Sequence, residues 1–113
     1  MDVAAAILIA CGVIVGGMMA PRGLKGEHIP KGLAILHGIF VASGLILLLI
    51  YALTTDSGDR HWDSITIFIV AATGGFYMLT RDLGMKGIPP WLLIIHALLG
   101  LGGLAWITIH LLK

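Results

Sequence analysis

Four runs of apolar residues, each close to the length of a membrane span, take up almost the whole chain: about 3–20, 32–53, 64–80 and 90–112. An α-helix rising 1.5 Å per residue needs about 20 such residues to cross the hydrocarbon of a bilayer. The backbone finds no water there, so each run must pair its own N–H and C=O groups, which a helix does within one segment. The expected fold is therefore all-α, an integral membrane four-helix bundle. Charged residues make up only 12% of the chain, against roughly 25% in soluble domains. The remaining loops are too short for a separate domain, so 1–113 reads as a single transmembrane domain. The first run has no basic segment before it and a second span follows directly, which reads as a span rather than a secretory signal.

Basic side chains set the expected orientation, because Lys and Arg collect in loops that stay on the cytoplasmic side. Arg22, Lys25 and Lys31 lie between the first two runs, and Arg81 and Lys86 follow the third. The middle loop, TTDSGDRHWD, holds Asp56, Asp59 and Asp63 against Arg60. Both basic loops are expected in the cytoplasm, with the middle loop and both termini outside, in a bacterial inner membrane. Trp62 and Trp91 suit the two interfaces, where indole rings favour a half-wet position. A net charge of +1 excludes a nucleic-acid partner. The single Cys11 excludes a disulfide framework or a thiolate metal cluster.

The chain also repeats itself. Gly16-Gly17 returns as Gly74-Gly75, Ile29-Pro30 as Ile88-Pro89, and in each half a histidine follows seven residues after that proline: His37 in IPKGLAILHG and His96 in IPPWLLIIHA. This predicts two tandem transmembrane helical hairpins, 1–55 and 60–113, alike in orientation and related by a pseudo-twofold axis along the membrane normal. Proline suits a first helical turn, where its missing N–H is not needed. Seven further residues would place each imidazole roughly 10 Å inside the basic end.

An ionisable side chain in hydrocarbon needs a partner, so an intramembrane histidine is a functional candidate by default. His37 and His96 at matching depth can face one another across the bundle. Gly44 and Gly103, seven residues beyond each histidine and on the same helix face, leave a gap that serves either close helix approach or a flat ring lying on the backbone. Three readings of the pair are open. It holds haem b through two axial imidazoles, with propionates toward Arg22, Lys25, Lys31, Arg81 or Lys86. It binds copper with help from Met18, Met19 or Met78. Or the histidines bond each other or a carbonyl and only lock helices together. Thr66, Thr73 and Thr80 share a stripe of the third run; their hydroxyls can bond back to the helix, while Thr73 or Tyr77 can also reach a histidine Nδ1 and set its tautomer.

Paired histidines on neighbouring spans, with His96 and His110 fourteen apart on one helix, resemble the bis-histidine bundles of cytochrome b and cytochrome b561-type proteins. In those families two helices each carry two histidines, two haems stack across the membrane, and glycines pack on the rings. The resemblance implies a haem between the second and fourth helices. A second haem would need a partner for His110, whose counterpart in the first half is Tyr51; His61, in the middle loop, is the residue that could supply it. The chain also resembles short bacterial four-helix membrane proteins that carry a proline, histidine and glycine pattern, which implies no activity.

The expected function is that of a small membrane b-type cytochrome exchanging single electrons with quinol, superoxide or another redox protein, as a monomer or a homo-oligomer. Asp59, Arg60 and His61 are the candidate quinone contacts. The competing classes are a non-enzymatic membrane subunit with structural histidines and a haem or metal carrier. No Asp or Glu is read inside the spans, which counts against a proton-coupled exporter. His28 is expected to be solvated.

Overall fold

Each apolar run forms one α-helix, and the lengths follow from where the chain can stop. A computed structural model describes residues 1–56 and 58–113; Ser57, in the middle loop, lies outside the described residues. The helices are α1 (Asp2–Leu24), α2 (Lys31–Thr54), α3 (Trp62–Leu83) and α4 (Pro90–Leu111). All four are long and apolar enough to cross a membrane, and among the described residues there is no strand. The protein is an all-α, multi-pass membrane four-helix bundle, measuring 46 × 19 × 18 Å between Cα atoms.

α1 and α3 run further than the apolar patterns predict. The stop is chemical rather than hydrophobic. In the first hairpin, Glu27 N–H reaches Arg22 O and Gly26 N–H reaches Gly23 O, with Gly26 at φ 73°. In the second, Lys86 N–H reaches Arg81 O and Met85 N–H reaches Asp82 O, with Met85 at φ 56°. These paired bonds around a left-handed residue form a Schellman cap, which satisfies the last carbonyls of a helix. Pro21 falls within the final turn of α1 and does not end it. The loops toward α2 and α4 are correspondingly short. Pro30 and Pro89 then sit at the N-caps of α2 and α4, with Pro90 in the first turn of α4.

Within each hairpin the helices pack closely. α1 also packs on α4, α2 touches α3 only lightly, and α2 and α4 stand on opposite corners. Gly44 explains the tight α1–α2 seam, because a Cβ there would come 2.5 Å from Ile9 Cγ1 and 2.9 Å from Ala5 O. Gly103 is its counterpart in α4, where a Cβ would fall 2.8 Å from Phe68 Cε1. The buried core, Ala5, Ile9, Leu48, Ala52, Ile65, Phe68 and Ile107 among it, fills the half of the bundle near the termini. The outward faces are apolar too; Leu53 is 74% exposed and Ile14 66%. That distribution suits lipid rather than water, since a soluble monomer rarely leaves so continuous an apolar surface uncovered.

Replacing Gly44 by alanine should destabilise the folded protein in detergent by about 1–3 kcal/mol, because a backbone carbonyl faces the new methyl and cannot yield cheaply. Gly38→Ala, with nothing within 4 Å of the new methyl, should be neutral or slightly stabilising. Thermal unfolding followed by circular dichroism separates the two.

Candidate functional site

His37 and His96 come from opposite corners and meet on the bundle axis. Their ring centroids lie 6.2 Å apart and the ring planes are inclined at 73°. Each ring is held by the other helix of its own hairpin. His37 Nδ1 lies 2.7 Å from Gly12 O on α1, and His96 Nδ1 lies 2.8 Å from Ala71 O on α3. A carbonyl can only accept, so Nδ1 carries the proton in both rings and Nε2 keeps its lone pair. Neither Nε2 has a protein partner among the described residues. A first-row metal ligand wants this state: a neutral imidazole oriented by a bond from its other nitrogen.

Both rings line one cavity of about 560 Å³ in the half of the bundle near the basic loops. Its size is that of a cofactor or drug-like ligand site. The walls are apolar apart from the two imidazoles and Asp82. The glycines that open this space are not the ones expected. Gly44 and Gly103 contact Ile9 and Phe68, so the expected floor below each histidine is filled by side chains of the odd-numbered helices. Gly16 and Gly75 face the rings instead: a Cβ on Gly16 would sit 3.1 Å from His37 Cε1, and one on Gly75 2.9 Å from His96 Cε1. Gly17 lines the cavity as well. The signal for this was present. Matching the halves on the histidines rather than on the glycine pairs aligns Gly16 with Gly75, and the same 59-residue spacing links Asp2 to His61.

Asp82 was missed because it stands next to Arg81 at the end of α3 and reads as part of the basic loop. Its side chain is only 13% exposed, lines the cavity mouth, and lies 3.5 Å from His28 Nδ1. His28 is indeed largely in solvent, at 56% exposure. Arg81 turns away to bond Gly87 O and Lys86 O. Met19 and Met78 line the cavity, whereas Met18 faces outward. Thr73 Oγ1 donates to Ile69 O in its own helix and Tyr77 is half exposed, so neither orients a histidine; main-chain carbonyls do.

At the opposite end the structure departs further from expectation. His61, read as a loop contact for quinone or haem, is buried. Its Nε2 lies 3.1 Å from Asp2 Oδ2, its ring packs on Tyr51, and its own N–H bonds Asp59 Oδ1. His110 Nδ1 bonds Trp106 O within α4, while its Nε2 lies 4.0 Å from Asp59 Oδ2. Asp59 thus gathers both histidines, in the half of the bundle that the core fills. Among the described residues no three His, Cys, Asp or Glu side chains are placed to hold a metal ion. What the cluster does is join the N-termini of α1 and α3, the two equivalent points of the repeat.

No family model, no curated protein and no solved structure matches this chain.

Asp2→Ala should therefore destabilise the protein by about 1–3 kcal/mol, because it leaves a buried imidazole without its acceptor. Asp2→Asn retains an acceptor oxygen and should lose clearly less. Equal losses in the two variants, measured by thermal unfolding in detergent, would refute the pairing as the cause.

Proposed function

We propose that the protein is a small membrane b-type cytochrome that binds one haem b in the cavity between α2 and α4, with His37 and His96 as axial ligands. The observation that carries this reading is the pair of unpartnered Nε2 atoms facing one apolar cavity, each ring fixed through Nδ1. His37 and His96 would be the residues that hold the iron, and their ring centroids lie 6.2 Å apart, near enough for one metal to be reached from both. The volume of the cavity and the open space beside Gly17, Gly38 and Gly100 in its wall suit a flat macrocycle.

The chain's own contribution is to bind and orient. Gly12 O and Ala71 O hold the imidazoles in the ligating tautomer. Val13, Val41, Leu93 and Leu101 exclude water from the centre. When bound, haem with two axial imidazoles has no open coordination site and supplies one-electron exchange rather than oxygen binding. Arg22, Lys25 and Lys31, at the basic end, would be the residues that receive its acidic edge. The partner is quinol, superoxide or another redox protein. The distribution of Lys and Arg supports a cytoplasmic position for the basic loops, and the short loops and compact size support a bacterial inner membrane.

A second reading has its own support. Each histidine already bonds a carbonyl across its hairpin, which is what a purely structural histidine would do. The two readings differ in colour. Protein purified in mild detergent from haem-supplemented cells should show a Soret band and a sharp α band on reduction, with about one haem per chain. His37→Ala and His96→Ala should each lose the six-coordinate spectrum. A preparation that is colourless despite supplied haem, and merely less stable in both variants, would leave the structural role standing alone.

A further inference from the structure

The cavity is bordered by a lateral seam and by the loops at the basic end, and the two differ in chemistry. The loose seam lies between α2 and α3, where Ala72 and Phe76 are shared with a shallow groove that Leu45 and Ile69 also line. At the basic end, two loops close the bundle. These loops occupy equivalent places in the repeat but are not equally secured. Arg81 ties the α3–α4 loop by donating to Gly87 O at 2.9 Å and Lys86 O at 3.2 Å. Arg22, its counterpart, makes no such bond among the described residues, and the α1–α2 loop is held across the bundle by His28 Nδ1 against Asp82 Oδ1 at 3.5 Å. That distance is beyond a good hydrogen bond, and His28 is largely in solvent, where such a contact is weak. Beneath the loop, Ile29 is buried and lines the cavity. Opposite it, Gly23 and Leu93 complete the closure: a Cβ on Gly23 would meet Leu93 Cδ2 and Ile29 Cδ1.

We propose that the cavity is loaded and emptied at the basic end, beneath the α1–α2 loop, with Ile29 as the plug and the His28–Asp82 contact as its latch. The ligand class that suits this route is a planar apolar body with an ionised edge. Such an edge would be expelled from the lipid-facing seam, because a charge in hydrocarbon is costly, whereas Arg22, Lys25 and Lys31 stand at the end route. The loop that opens is the first because the second is pinned by two bonds from Arg81. Asp82 breaks the repeat here, its counterpart being Gly23, so a latch exists on one side only.

This inference rests on the cavity binding haem, and the experiment has an arm that does not. In the first arm, loss of haem to excess apomyoglobin is followed in detergent; His28→Ala and Asp82→Asn should each speed it about two- to fivefold, the factor expected from losing one weak ion pair. In the second, Ala34→Cys places a thiol on the cavity wall, and its labelling by a water-soluble maleimide in the haem-free protein should rise by a similar factor in the same two variants. Thr73→Phe, which fills the groove of the seam outside the cavity, should change neither rate. Unchanged rates in the latch variants, or slowing of both processes by Thr73→Phe, would overturn the proposal in favour of lateral access. Failure of haem binding with faster thiol labelling would instead retire the haem reading and keep the latch.

Discussion

Two hydrogen bonds organise the centre of this protein: His37 Nδ1–H to Gly12 O and His96 Nδ1–H to Ala71 O. In hydrocarbon a ring N–H without an acceptor is costly, and the acceptors on neighbouring helices are main-chain carbonyls. Each bond therefore decides how the two helices of a hairpin face one another, how deep the imidazole lies, and which nitrogen is left free. Close approach is a condition for it. Gly16 and Gly75 face the rings, and Gly44 and Gly103 bring the helices together further along. Remove the small residues and the bonds are out of reach.

The repeat gives the bundle its shape, and its exceptions give it chemistry. Matched positions perform matched tasks: the two Schellman caps, the two imidazole bonds, the two glycine contacts with Ile9 and Phe68. Unmatched positions hold the remaining ionisable groups. Asp2 and His61 are equivalent by sequence spacing and bind each other across the pseudo-axis, which a symmetric pair of like charges could not do. Asp82 faces the cavity where its counterpart is Gly23. The halves of the membrane also differ, one filled by core side chains and the other opened around the histidines.

Much of the fold was legible in the residues. Length and apolarity gave four spans, and the spacing of proline and histidine gave two hairpins with His37 and His96 at one depth. The apolar runs stop at Ala20 and Thr80, short of the helix ends, because hydropathy falls there while hydrogen bonding continues to Glu27 and Lys86. Asp82 was hidden among basic neighbours, since sequence adjacency says nothing about which side chain of a last turn points inward. His61 lies in a loop of charged residues in the sequence, although Asp2, remote in the chain, draws it into a buried pair.

What the sequence by itself determined is the solvent, the number of helices and the equivalence of the halves, because each depends on local composition or on spacing along one chain. Only the tertiary structure decided which glycines face which groups, which imidazole nitrogen is free, and where space remains. Those outcomes depend on how helices rotate against one another, and rotation is set by contacts between residues far apart in sequence. A one-residue difference in aligning the repeats moves a glycine by about 100° around its helix, enough to exchange a packing contact for a cavity wall.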